Sequence, residues 1–195
     1  MGEAILTSRA GFQTGGELAV ATWGVYLTEA QYVCTKSGNY IVTCVGAGGG
    51  GGAVSNTSYP RQAGGGGGSG FINTMEISLQ QGESVAITVG NGSTAFGVYC
   101  VGNRGQSGST DGTGGNGSNK GENGAYRSAN TVANGGILYY NPSNICQISA
   151  TQTSECNTKF AYGYGGNGAS WHDGVSFSSA PSGGNGYCAI MPADL

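Results

Sequence analysis

Charge is scarce in this sequence. Of its 195 residues, 17 are Asp, Glu, Lys or Arg, a share of 9% where about 25% is usual. The seven basic residues, Arg9, Lys36, Arg61, Arg104, Lys120, Arg127 and Lys159, are scattered, which speaks against nucleic acid, because phosphate binding needs clustered cations. Aliphatic and Phe side chains are also few. Leu, Ile, Val and Phe number 32, too few for the long apolar strands of an ordinary α/β enzyme. The formal net charge is only −3, so disorder driven by charge repulsion is not expected either. No apolar run reaches 18 residues, which predicts no membrane insertion. Met1 to Leu6 has neither a basic n-region nor an apolar h-region, so no signal peptide is expected and synthesis in a cytoplasm is. The myristoylation pattern fails at Leu6.

Histidine occurs once, as His172 beside Asp173, and proline four times. Adjacency of His and Asp does not make a catalytic triad. The acidic candidates Asp111, Glu122, Glu155 and Asp173 lack the aromatic and acidic surroundings of a glycan-cleaving carboxylate pair. The expectation is therefore a protein that is not an enzyme and uses no cofactor. None of the six cysteines forms a CxxC pair, so no metal site is expected. Cys44, Cys100 and Cys188 lie in strand-like runs and read as small buried hydrophobes. Cys146 and Cys156 bracket a polar loop and would suit a disulfide once outside a cell.

What the sequence has instead is glycine, 41 residues or 21%. Interior glycine costs about 1 kcal/mol per position in a helix, which excludes a helical domain. Strand signals are present and short. Asn39–Val45 is β-branched and aromatic and runs into Gly46–Gly52. After the polar loop 54–62 comes Gly64–Gly68, then a strand over Phe71–Leu79. Gln81-Gly82 is a turn, and Ser84–Val89 returns with Val85, Ile87 and Val89 on one face. Phe96–Val101 reads as another strand, as do Ile137–Tyr140 and Tyr187–Met191. Two stretches have few glycines and read as loops, 141–164 and 169–182.

Residues 102–124 carry a period of three. Gly102, Gly105 and Gly108 keep it; after a one-residue slip Gly112, Gly115, Gly121 and Gly124 resume it, with Ser118 in the gap. Three is the repeat of the polyproline II helix. Collagen shares it but needs abundant proline. Glycine chains in this conformation can instead pack side by side and hydrogen-bond backbone to backbone, an approach only glycine permits. Such a lattice satisfies buried N–H and C=O groups and stands in for the missing core. The fold class expected is all-β and irregular: short antiparallel strands with packed polyglycine II helices, and little or no α-helix.

The order strand, poly-Gly, loop, poly-Gly, strand, turn is followed by Gly-Gly-Asn-Gly at 114–117, 165–168 and 183–186. With Leu79–Gly90 and Ala95-Phe96-Gly97, it resembles the glycine-rich domains at the tips of phage and prophage tail fibres. The likeness covers roughly 37–191 and extends to the T-even-like fibre adhesins. A similar layout in the ectodomains of some animal receptor kinases is disfavoured by the missing signal peptide.

The resemblance implies a rigid scaffold whose loops bind a host bacterial surface receptor, either a glycan or an outer surface protein. It places the protein on the virion, at the tail-fibre tip, as a homotrimer or as a monomer capping a trimeric fibre. Residues 1–36 differ in composition. They are either an attachment or oligomerisation segment that meets other virion tail or fibre proteins, or the first part of the same fold; 37–195 is the glycine-rich receptor-binding domain. The binding candidates are Tyr59, Arg61, Tyr126, Arg127, Tyr139, Tyr140, Trp171, His172, Asp173 and Phe177, because Tyr and Trp give large contact area at low entropic cost. Tyr99 and Tyr164 are expected to pack on the glycine lattice. Two rival readings are a structural fibre or decoration protein without receptor contact, and an ice-binding surface, which would require a regular Thr array that Thr35, Thr43, Thr57, Thr74 and Thr88 do not form.

Overall fold

Eight residues of β3 (Gly38–Val45) alternate so well that both of its faces are used. Tyr40, Val42 and Cys44 point one way, Thr43 and Val45 the other, and all five are buried. The computed structural model describes residues 24–54, 63–123, 132–141, 144–172, 176–177 and 180–194. Among these, every regular element is a β-strand, as the composition predicts.

Three layers build the strand-rich part. The middle sheet runs β1 (Gly24–Tyr26), β13 (Tyr187–Pro192), β3, β4 (Ile72–Leu79), all antiparallel. A second sheet, β2 (Ala30–Val33), β5 (Ser84–Thr88), β6 (Thr94–Phe96), β7 (Cys100–Gly102), covers one face. Between them lie Tyr32, Val42, Leu79, Val85, Ile87, Phe96 and Ile190, with the thiols of Cys34, Cys44, Cys100 and Cys188. Each fully buried Leu, Ile or Phe contributes about 1.5–3 kcal/mol by leaving water. The other face carries β8 (Tyr139–Asn141), β9 (Asn144–Ser149) and β10 (Thr158–Lys159), packed through Val45, Leu138, Tyr187, Phe160 and Ile148. A separate hairpin pairs β11 (Trp171–His172) with β12 (Ser176–Phe177).

Several expectations change. Phe96–Val101 is not one strand: Gly97 has φ +51°, and the chain reverses there between β6 and β7. The low-glycine stretch 141–164 contains β9 and β10, and 169–182 contains the β11–β12 hairpin. A division after residue 36 would fall between β2 and β3, yet β1 pairs with β13 and β2 with β5. Residues 24–33 are thus woven into the body. Cys44, Cys100 and Cys188 are buried free thiols, as read from the sequence. Cys156 is also free and buried, so it takes no part in a disulfide.

The glycine runs form the lattice that their period predicts. Segment 63–71 is its axis. Gly64, Gly67 and Gly70 donate to the carbonyls of Ala169, Gly166 and Gly163. Gly65, Gly68 and Phe71 donate to Ser109, Gln106 and Asn103, while Gly66 and Ser69 donate to Glu122 and Asn119. In return, Gly46, Gly49 and Gly52 donate to Phe71, Gly68 and Gly65; Gly115 donates to Gly66 and Gly136 to Gly67. All these N···O distances lie between 2.6 and 3.2 Å. Donors step by three residues in three directions, the signature of a three-fold helix. Six segments therefore surround the axis: 46–52, 103–109, 113–117, 119–122, 134–136 and 163–169.

The packing leaves no room for a side chain. A Cβ on Gly67 would fall well inside 3.0 Å of the Gly49 carbonyl, and one on Gly66 would do the same at Asn134. In 102–108 the period is visible as burial: Gly102 and Gly105 are buried, and the residues between them are exposed. The one-residue slip is a tight turn over Ser109–Thr113, where Gly112 has φ +86°. Ser118 replaces a glycine at the next reversal, and its Oγ accepts from the Ile72 amide at 2.8 Å.

Gly67→Ala is expected to destabilise the protein by about 3 kcal/mol, near the upper end of overpacking costs, because a backbone carbonyl cannot swing aside as a side chain does. Gly38→Ala, with nothing within 4 Å of the added carbon, should stay within about 0.5 kcal/mol of the parent. Urea unfolding of both variants measures the contrast.

Candidate functional site

Alternating direction in the lattice sorts the loops. Segment 46–54 leaves β3 and runs outward, and 63–71 runs back to β4, antiparallel to it. Segment 103–109 runs outward from β7 and 113–117 returns. Segment 119–123 goes out again, 132–137 comes back to β8, 163–169 goes out, and 180–186 comes back to β13. Every departure from the lattice at the far end therefore lies on one side of the molecule. We call that side the tip and the opposite side the base.

Four connections leave the lattice at the tip. They are residues 55–62, the turn Ser109–Thr113, residues 124–131, and the β11–β12 hairpin with its flanks. Three of them carry eight of the ten candidates. Tyr59 and Arg61 lie in 55–62, and Tyr126 and Arg127 in 124–131, outside the described residues, as Asp173 is. Trp171 pairs in register with Phe177, and His172 with Ser176. Sequence distance separates Tyr59 from Trp171 by more than a hundred residues; the lattice anchors both of their connections at the same end.

Tyr139 and Tyr140 are elsewhere. They sit in β8 at the layered end, half-buried. Tyr140 meets the Phe160 ring edge-on at 5.5 Å, and Phe160 meets Tyr162 at 5.5 Å and Tyr187 at 4.8 Å. These rings fill the interface between β8–β10 and the middle sheet, so Tyr140 has a packing role away from the tip. Tyr99 does not rest on the lattice: its ring lies 6.4 Å from Phe96, and its hydroxyl donates to Glu83 Oε1 at 2.7 Å. Tyr164 does rest on the lattice, over Gly184.

The chain enters the described body at the base. Gly24 opposes Ile190, and β13 ends there with the Ala193 amide bound to the Asn39 carbonyl at 2.9 Å. A cleft of about 740 Å³ opens beside these residues, lined by Lys36, Asn39, Tyr40, Pro192 and Asp194 among others. Entry and loops are thus at opposite ends. Among the described residues no group of three or more His, Cys, Asp and Glu side chains could hold a metal ion, and no helix is long and apolar enough to cross a membrane.

The one tip connection described in full is held by its carboxylate. The Ser109 hydroxyl donates to Asp111 Oδ1, and the Thr113 amide donates to the same oxygen at 2.9 Å. These donors favour the charged form and hold the Asp111 carboxyl down at about 2. The contribution of the charged carboxylate is complete above the ordinary value near 4 and is lost as pH falls through about 2. The Thr113 amide resonance is expected to titrate with a midpoint near pH 2 in an NMR pH series, and to lose that transition in Asp111→Asn. A midpoint near pH 4 would mean that the turn does not hold its carboxylate.

No protein-family model matches this chain, and a search of curated proteins returns no match.

Proposed function

We propose that this protein is a receptor-binding tip of a phage or prophage tail fibre, gripping a host bacterial surface glycan or surface protein through its tip connections. The observation that carries the reading is polarity. Chain entry lies at the base, and the three connections richest in Trp, Tyr and Arg leave the lattice at the far end. A rigid support that gathers variable-length loops at one end is how binding surfaces are generally presented. Aromatic and Arg side chains are the residue types that dominate binding hot spots.

The lattice makes such a support stiff without side-chain packing. Its contacts are backbone hydrogen bonds in repeated register, so residues of the tip connections can differ without disturbing what holds them. Contact with other fibre proteins falls, on this reading, to the base, where β1 begins and β13 ends. A protein of the fibre shaft or a decoration protein would share the lattice but would have no need of an aromatic tip.

Flow cytometry of fluorescently labelled protein against a panel of bacterial strains tests the reading. Strain-selective binding is expected. Trp171→Ala should weaken it about tenfold, the size of a hot-spot loss of roughly 1.4 kcal/mol. Lys36→Ala at the base should leave it unchanged. Absence of binding to every strain by folded protein would overturn the proposal in favour of a purely structural fibre role.

A further inference from the structure

A second candidate surface lies on the flank of the lattice. Segments 132–137, 163–169 and 180–186 and the end of β10 enclose a cleft of about 600 Å³. Glycine backbone at 135, 165 and 166 contributes to its lining. The ring of Tyr164 stands at one side, 42% exposed.

That ring is unusually well placed. A Cβ on Gly184 would come inside 3.0 Å of its Cδ1 and Cε1 atoms, so the ring lies directly against bare backbone. The Gly184 amide donates to the Tyr164 carbonyl at 2.8 Å and ties the two segments together. That side of the ring is thereby occupied, while the residue as a whole stays 42% exposed. Phe160, fixed by three neighbouring rings, lines the same cleft.

Two amide side chains complete the wall. Asn167 Oδ1 accepts from the Gly135 amide at 2.9 Å. That anchors the side chain and leaves its NH2 donors for a ligand. Asn134 Nδ2 donates to Glu122 Oε2 at 2.9 Å, which leaves the Asn134 Oδ1 as an acceptor. Ser182 adds a hydroxyl, and Lys159 is the sole charged residue of the lining.

This chemistry selects among ligands. One cation is too little for a polyanion. The polar backbone and amides are wasted on a purely apolar ligand, whose burial would leave them unpaired. A pyranose fits both halves. Its axial C–H bonds present a slightly positive face to the negative face of an aromatic ring. Its hydroxyls donate and accept, matching anchored amides that offer one of each. We infer that this flank cleft binds a neutral hexopyranoside glycan, with one sugar ring stacked on Tyr164 and its hydroxyls paired with Asn134 and Asn167. The cleft is separate from the tip, so the inference stands without the host-attachment reading.

The test uses the full chain on an array of neutral and acidic bacterial surface oligosaccharides, followed by NMR titration of isotope-labelled protein with each glycan retained. At least one neutral glycan should bind and shift the amide resonances of Gly135, Gly165 and Gly166. Tyr164→Ala should weaken binding at least tenfold, and Tyr164→Trp should hold it within about threefold. The wild-type resonance shifts locate the site even if Tyr164→Ala proves unstable. Binding of no neutral glycan at millimolar concentration would overturn the inference. So would a bound neutral glycan that leaves those three amides unmoved, or retention of acidic glycans alone with loss in Lys159→Ala. Strain binding that survives Tyr164→Ala while glycan retention is lost would support this site and leave the tip reading intact.

Discussion

The space a Cβ atom would take is, in this protein, filled by a neighbour's carbonyl oxygen. At Gly46, Gly49 and Gly52 the occupants are the carbonyls of Asn103, Gln106 and Ser109; at Gly48 and Gly51 they are those of Tyr164 and Asn167. Each replacement keeps the step of three. Chains at such separation satisfy each other's N–H and C=O groups, which water can no longer reach. An interior built this way draws little on the hydrophobic effect. It draws on hydrogen bonds and close dispersion contacts, each small and all of them numerous.

The apolar residues that the chain does have are concentrated at the other end. Both faces of β3 and β13 are covered, so few strands serve two cores at once. Val45 leads directly into Gly46, and Gly186 directly into Tyr187. The layered sheets therefore fix the starting positions of the lattice segments, and the lattice carries that order outward to the tip. Cysteine suits this arrangement. Cys44 and Cys188 oppose each other in register with sulfurs 3.8 Å apart, as compact fillers where the sheets meet.

Much of this was legible in the residues. The strand around Val42 announces itself by β-branched and aromatic residues and that around Val85 by alternation, and the glycine period names the lattice. Other parts were hidden for identifiable reasons. The reversal at Gly97 depends on one left-handed residue inside a run that otherwise reads as strand. β10 is only two residues long, and β9 mixes Ile145 and Ile148 with polar residues; both are made by pairing with β8, which no local pattern reports. Tyr139 and Tyr140 border a long low-glycine stretch in sequence and so read as binding candidates, but Phe160 claims Tyr140 for the interior. Anchoring the connections that carry Tyr59, Tyr126 and Trp171 at one end needs the antiparallel course of eight segments, which no local pattern reports. The placing of the Tyr164 ring on the lattice needs Gly184 beside it, a contact twenty residues away in sequence.

Glycine codons give this architecture an uneven relation to mutation. Any single-base change that replaces glycine with another amino acid adds at least a Cβ, and at most lattice positions that carbon meets a carbonyl. In the tip turn, Thr110 and Asp111 are exposed and meet no such wall. Random substitution is thus filtered by geometry before any selection for binding acts. The genetic variation that survives in folded protein is steered toward the end of the molecule farthest from its point of entry.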